Sequence, residues 1–453
     1  MDTLDASIDV GNRDSLTIID RATPTPLMPR IERANIGVDG MIQRNACRWP
    51  SLSYDARFIS YWSFASGLVS GDTNNIGDIF VRDRIAGRIE RINVGPMGIE
   101  ANGDSDMPLI SSDGRFVVFD SAASNLVSGD TNGVRDVFVR DRTLGITERI
   151  SISSSGEQGN GPSRGGYYSN ITYQIGISGD GRFVTFVSGA NNLVNDDGNR
   201  IDDIFVRDRL LGRTERVSVG RDGGDSFWRC GDIFGGPGVN FSPSISDDGR
   251  YVVFSSRAAN LIAEDVDGCY VGSTYLRDRL LGSTRRISFS FSGSNPILGL
   301  DYARISGNGN ILTYSANVSL IAPRGTSDVF SYQLDIGRAF LTSVSLAGGV
   351  ANGESFSPYS SVDGQFIIFG SEANNLDHAS ATVHYPHLFV RNLPSGVTRL
   401  IDFVPTPTGL VLSSRHSGFN ISPDGKYAVF IAADRDDSRE NVFVVSLDYF
   451  FSR

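Results

Sequence analysis

The chain has 453 residues, 52 of them acidic and 41 basic, giving a net charge of −11 at neutral pH. That balance excludes nucleic acid as a partner, because phosphate binding needs a basic surface. Hydrophobic residues make up 40% of the chain and glycine takes 51 positions, with no apolar run of the roughly 18 residues that a membrane helix needs, so no membrane span is expected.

Residues 1–25 lack the basic-then-apolar pattern of a secretory leader and read as a loosely ordered polar arm. Ile31–Val38 follows as a strand with no partner nearby. The chain then begins to repeat. Its clearest copy, residues 108–152, holds a short strand, the turn Ser112-Asp113-Gly114, a strand at 115–121, a loop to 136, the strand Val137–Arg142, and a last strand Thr147–Ile152. Asp-Gly between β-rich runs marks a tight reversal, since glycine takes the positive φ that the turn demands. One unit is a four-stranded antiparallel meander.

The turn recurs at Asp55, Asp113, Asp180, Asp248, Asn308, Asp363 and Asp424, in steps of 58, 67, 68, 60, 55 and 61 residues. The third strand returns as DIFVRDR at 78–84, DVFVRDR at 136–142, DIFVRDR at 203–209 and TYLRDR at 274–279, with weaker forms beyond. Seven consecutive meanders predict an all-β, seven-bladed β-propeller of four-stranded antiparallel blades. The last copy stops after its third strand at Leu447. The orphan Ile31–Val38, which reads like ERINV at 90–94, completes that blade and closes the ring. Residues 26–453 then form one propeller domain.

The signature S-x-D-G-R-F/Y-V-x-F, followed by V-F-V-x-D, resembles the TolB-type repeat of bacterial β-propellers over about residues 50–447. The resemblance implies the fold. That family includes protein-binding propellers and the propeller domains of peptidases, so it implies little about activity. TolB itself has six blades and a second domain, whereas this chain has seven copies and no spare domain.

In such a meander the loops between strands two and three share one face with the blade-to-blade connections. The Asp-Gly turns share the other face with the loops between strands three and four. The first face is the variable one, where function is expected. In blades one to three its loops align Asp72/Asn74/Asp78, Asp130/Asn132/Asp136 and Asp197/Asn199/Asp203. Three hard oxygen side chains in one tight loop suit Ca²⁺, with backbone carbonyls completing the shell. The alternative is an Asx turn, in which the same side chains hold backbone amides. Blade six carries His378, His384 and His387, with His416 in the next connection. These are borderline-metal donors or a polar loop. Cys47, Cys230 and Cys269 are placed in variable-face loops, with room for one bridge.

The connections Gly220–Phe241 and Ser153–Gly176 carry Phe227, Trp228, Arg229, Phe234 and Phe241, and Tyr167 and Tyr168. On glycine-rich loops these suit stacking on a sugar or anchoring a protein, or else they tuck over the blade tops. GPSRG at 161–165 matches G-x-S-x-G but has no strand-to-helix elbow. Arg82/Arg84, Arg140/Arg142 and Arg207/Arg209, with Asp83, Asp141 and Asp208, are expected to be blade-to-blade ion pairs. The reading is a non-catalytic binding or assembly module for a protein or glycan, with Ca²⁺ stiffening three loops. The alternatives are a structural protein of an extracellular or virion oligomer, built as a homo-oligomer, and a carbohydrate-active hydrolase or lyase. An extracellular, cell-surface or virion location is favoured over the cytoplasm.

Overall fold

The computed structural model describes residues 30–43, 45–163, 175–227, 239–263, 273–287, 300–317, 327–380, 386–406, 409–412, 416–434 and 437–452. The polar arm expected at 1–25 lies outside them. The architecture is all-β, with seven four-stranded antiparallel blades in a ring. Blade two shows the pattern, with Ser105–Ile110 innermost, then Phe116–Ser121, Asp136–Asp141 and Ile146–Arg149 outermost. The inner strand of blade one contacts those of blades two and seven, so the ring is complete. No helix among the described residues is long and apolar enough to cross a membrane.

The two middle strands of each blade are sandwiched between neighbouring blades, so both of their faces are buried. This explains why they read as runs of valine, isoleucine and phenylalanine without polar alternation. Each blade places one aromatic pair across these strands. Phe119 faces Phe138 with ring centroids 5.9 Å apart, and Tyr61–Phe80, Phe186–Phe205, Phe254–Tyr275, Tyr314–Phe330, Phe369–Phe389 and Phe430–Phe443 repeat the contact at 5.7–6.1 Å. Such cross-strand pairs pin the register, because a one-residue slip would turn one ring to the opposite face from the other.

The repeated turn has a local cause. Ser111 and Asp113 form a closed set in which the serine hydroxyl donates to the carboxylate, Arg115 N–H donates to Asp113, and Phe116 N–H donates to Ser111 Oγ. Gly114 takes φ +72°, and a Cβ there would lie 2.2 Å from the Phe58 ring of the preceding blade.

Ion pairs hold the ring, with different partners from those expected. Asp83, Asp141 and Asp208 pair within their own blades, with Arg57, Arg115 and Arg182 at 2.6–2.9 Å. Arg142 crosses to the previous blade, where it meets Glu90 and stacks 4.1 Å from the Phe58 ring. Arg209–Glu148 and Arg279–Glu215 repeat this bridge, and Arg84 reaches Glu32. Arg140 and Arg207 instead bond Thr147 and Thr214 on their own fourth strands. At the turn face the backbones of successive blades are stitched together. Tyr54 N–H donates to Ser112 O, Ser112 N–H to Gly179 O, Asp247 N–H to Gly307 O, and Val362 N–H to Pro423 O.

Ring closure follows the sequence reading, with a shorter strand. Ile31–Arg33 pairs antiparallel with Phe443–Val445, and Ile36 then bridges Ile42. That bridge recurs after the outer strands of other blades, as Val94–Glu100, Ile152–Gln158 and Val344–Val350. Asn35, fully buried, donates to Gln43 O at 2.9 Å and to Asn441 Oδ1 at 3.1 Å, and accepts Val442 N–H at 3.2 Å. The connection before blade seven, read as loop, contains a hairpin, Phe403–Thr406 with Gly409–Leu412. Cys47, expected in a loop, opens the inner strand Cys47–Leu52 as a buried free thiol, and burial pushes its pKa up to about 12. Cys230 and Cys269 lie outside the described residues.

Candidate functional site

The D-x-N loops form Asx turns around an arginine. Asn74 accepts Ile76 N–H at 3.2 Å, and its amide donates to Asp78 at 3.2 Å and to Ala101 O at 3.3 Å. Asn132 and Asn199 repeat these contacts with Asp136 and Asp203 at 2.8 and 2.9 Å. Into each set the fourth strand sends a guanidinium. Arg91 Nη1 lies 3.4 Å from Asp72, 3.3 Å from Asp78 and 2.5 Å from Glu100. Arg149 lies 3.1 Å from Asp130 and 3.3 Å from Asp136, and Arg216 lies 3.2 Å from Asp197, 3.3 Å from Asp203 and 2.7 Å from Asp225. This donor set does not fit Ca²⁺, because a fixed cation already faces the carboxylates and each asparagine turns N–H toward its acid. Among the described residues no group of three histidines, cysteines or acids could hold a metal.

Burial first, and then the charge of Asp203, push Asp197 up to about 6 against the pull of Arg216, and burial with Asp78 does the same to Asp72. The unfolded value is about 3.9, so the folded state holds extra protons between about pH 4 and 6, and these groups lose stability as pH rises through that window. Asp197→Asn is therefore expected to raise the unfolding midpoint at pH 7.5 and to leave it unchanged at pH 4. Thermal unfolding at the two pH values checks this, and equal effects at both would refute it.

Beneath these loops runs a buried polar layer. The first acid of strand three accepts a hydrogen bond from a side chain fifteen residues on, as in Asn93 to Asp78, Ser151 to Asp136, Ser218 to Asp203 and Ser343 to Asp328. Blade six reverses the pair. His387 takes the acid's place, with Nδ1 2.8 Å from Asp402. It thus belongs to the buried layer and not to a loop cluster with His378, which is exposed. His384 lies outside the described residues, and His416 begins the inner strand of blade seven. Ser163 of GPSRG is buried, with its hydroxyl 3.0 Å from that of Ser188.

Of the predicted aromatic rim, Phe227 is half exposed, and Trp228, Arg229, Phe234, Tyr167 and Tyr168 lie outside the described residues. The described aromatic surface stands elsewhere, at the variable end of blade one. Trp62 packs edge-on against Trp49 at 5.6 Å and against Phe64 at 4.6 Å, with the Arg48 guanidinium 5.4 Å above Trp62. Phe64 is half exposed. The cue in sequence was the string CRWPSL pairing with FISYWS.

Trp49 also marks the mouth of the central channel. Inner strands carry a bulge there, between Arg48 and Ser51, Asp106 and Leu109, Phe241 and Ser244, and Phe356 and Tyr359. The bulged residues Trp49, Met107, Ser242 and Ser357 take φ of 50–55°, each just before a proline, which has no N–H to lose from the ladder. Below the bulges one position repeats around the ring, as Ser51, Leu109, Gly176, Ser244, Arg304, Tyr359 and Asn420.

Arg304 is the one charge in that ring. Its guanidinium carbon lies 3.8 Å from the centroid of the Tyr359 ring, and Nη2 donates to the phenol oxygen at 2.7 Å. The two residues line both chambers of the channel. An upper chamber of about 70 Å³ is walled by Trp49, Met107, Ile175 and Phe419, and a lower one of about 160 Å³ reaches Asp247 and Gly307. Sequence reasoning missed this site. The signal was the serine before each Asp-Gly turn, from which the seven inner strands can be laid in register.

No protein-family description matches the chain, and no curated protein matches it in sequence. Solved structures do match in shape. Oligogalacturonate lyase from Vibrio parahaemolyticus superposes with a TM-score of 0.54 at 10% identity, over 93% of this chain and 97% of that one. The β-propeller domain of the Trilobed protease from Pyrococcus furiosus gives 0.51 at 11% identity, over 89% and 95%. That domain is described as having an open velcro topology, whereas here a strand from the N-terminal side closes the ring. TolB from Acinetobacter baumannii gives 0.39 at 13% identity, over 82% and 76%. What this chain shares with the lyase and the protease domain is the propeller fold.

Proposed function

We infer that this protein is a binding module that takes a protein or glycan partner on its variable face, over blade one and the channel mouth. The observation that carries the reading is the Arg48–Trp49–Trp62–Phe64 cluster. It breaks the sevenfold repetition with a partly exposed aromatic surface beside a cation. Repeated features such as the arginine bridges serve every blade alike and read as scaffold, while a recognition surface has to differ from blade to blade. Aromatic rings beside a guanidinium suit the faces of sugar rings and the side chains of a protein partner.

The test is a panel of oligosaccharides titrated against tryptophan fluorescence, with Phe64→Ala as the variant. The expected result is a ligand that quenches Trp49 and Trp62, and a loss of affinity of about tenfold in Phe64→Ala. The unfolding midpoint should hardly move, since Phe64 is half exposed. Release of cleaved products from a polysaccharide by the purified chain would replace this reading with a carbohydrate-active enzyme.

A further inference from the structure

The geometry points to a carboxylate-binding site inside the central channel, with Arg304 as the cation that receives the acid group. The site deepens the binding-module reading, and rests on it, by naming the chemistry of what enters the channel. Three observations support it. Arg304 is the single charged residue among seven equivalent ring positions. Its Nε–H is buried and has no hydrogen-bond partner, while Nη2 is held by Tyr359. Among the described residues no carboxylate pairs with it. A half-buried guanidinium without an anion is costly, and loss of solvent around it lowers its pKa. Its cost is removed when a bound ligand supplies the charge.

The class of anion follows from the surroundings. A guanidinium presents a planar fork, and a carboxylate matches it with two parallel hydrogen bonds. One cation balances one negative charge. Asp247 lines the far end of the lower chamber, so a dianion such as sulfate is disfavoured there. About 160 Å³ admits a group near the size of benzene. The ligand is therefore a small monocarboxylic acid, or the acid-bearing end of a longer molecule. Its body lies in the lower chamber, and the upper one, at about 70 Å³, admits only a narrow extension between Trp49, Met107 and Phe419.

The experiment uses the full chain, with sodium benzoate as probe, benzyl alcohol as its neutral counterpart and sodium sulfate as the dianion. Benzoate is expected to raise the unfolding midpoint saturably, as a ligand bound only by the folded state must. Benzyl alcohol and sulfate at matched ionic strength are not. Arg304→Met, without ligand, is expected to melt above the wild type, because it removes a half-buried charge that no anion balances, and to lose the response to benzoate. Should Arg304→Met fail to fold, Arg304→Lys keeps the charge and loses the fork, and its benzoate affinity should fall at least tenfold. An equal benzoate response in wild type and variant overturns the site, as does the absence of any response in the wild type. If Phe64→Ala abolishes partner binding while benzoate does nothing, the channel site falls and the binding-module reading stands.

Discussion

Arg216→Ala is expected to destabilise the protein by about 3–5 kcal/mol, the range found when one partner of a buried ion pair is removed. The side chain is 4% exposed and lies within 3.3 Å of Asp197, Asp203 and Asp225. Asp203 is itself fully buried, with Ser218 and Asn240 donating to it. Without the guanidinium, two buried carboxylates, Asp197 and Asp203, face each other and the partly exposed Asp225 with no counter-charge between them. A second effect follows from the same geometry. The vacated position is surrounded by hard oxygens, including the Asp196 carbonyl that Arg216 Nη2 reaches at 2.6 Å. Millimolar calcium should therefore restore part of the lost stability of Arg216→Ala and leave the wild-type midpoint where it was. Denaturant unfolding with and without calcium reads both effects. A calcium-dependent rise in the wild type would mean that the loops hold an ion despite their arginines. A loss no larger than that of Arg213→Ala, at an exposed position, would sink the account of the pocket.

Removing residues 1–36 is expected to cost more, about 5 kcal/mol or above, because the ring then opens. The Phe443–Val445 edge loses its partner, and Val442 N–H loses Asn35 Oδ1. An unpaired strand edge also invites pairing between molecules. Light scattering should show association of the truncated chain, and a synthetic peptide covering residues 30–43 should reverse it by adding the missing strand in trans. A truncated chain that melts with the wild type and stays monomeric would show that closure contributes little.

Much of the fold was legible because the features that build it recur. Ser-x-Asp-Gly turns, the VFVRD strands and the charged third-strand ends appear in copy after copy, and the orphan at Ile31 matched the strand that the last blade lacked. Partner choice was harder. Arg142 and Asp141 were both expected in blade-to-blade pairs, yet adjacent residues on a strand point to opposite faces, so Arg142 crosses to Glu90 while Asp141 meets Arg115 in its own blade. The D-x-N loops looked like ion sites because the cation they hold is supplied from thirteen residues away, by the arginine of strand four in Arg91, Arg149 and Arg216. The channel was hidden for the opposite reason. Arg304 occurs once, on an inner strand that has lost the proline of its counterparts, and a single arginine among 41 basic residues gives no signal until the seven strands are aligned. Repetition reveals the scaffold, and the site lies where it fails.

The strand that shuts the ring has a consequence for biosynthesis. Asn35 and its partner Asn441 are 406 residues apart, so the first strand leaves the ribosome long before its place in blade seven exists. At roughly 5–20 residues per second the wait lasts on the order of 20–80 s. During that time Ile31–Arg33 stands beside six growing blades whose outer edges could each accept it wrongly. Its own composition guards against this, because Glu32 and Arg33 make two of its three residues charged. Glu32 finds Arg84 once blade one is made, which can hold the segment near the correct gap until the last strand arrives.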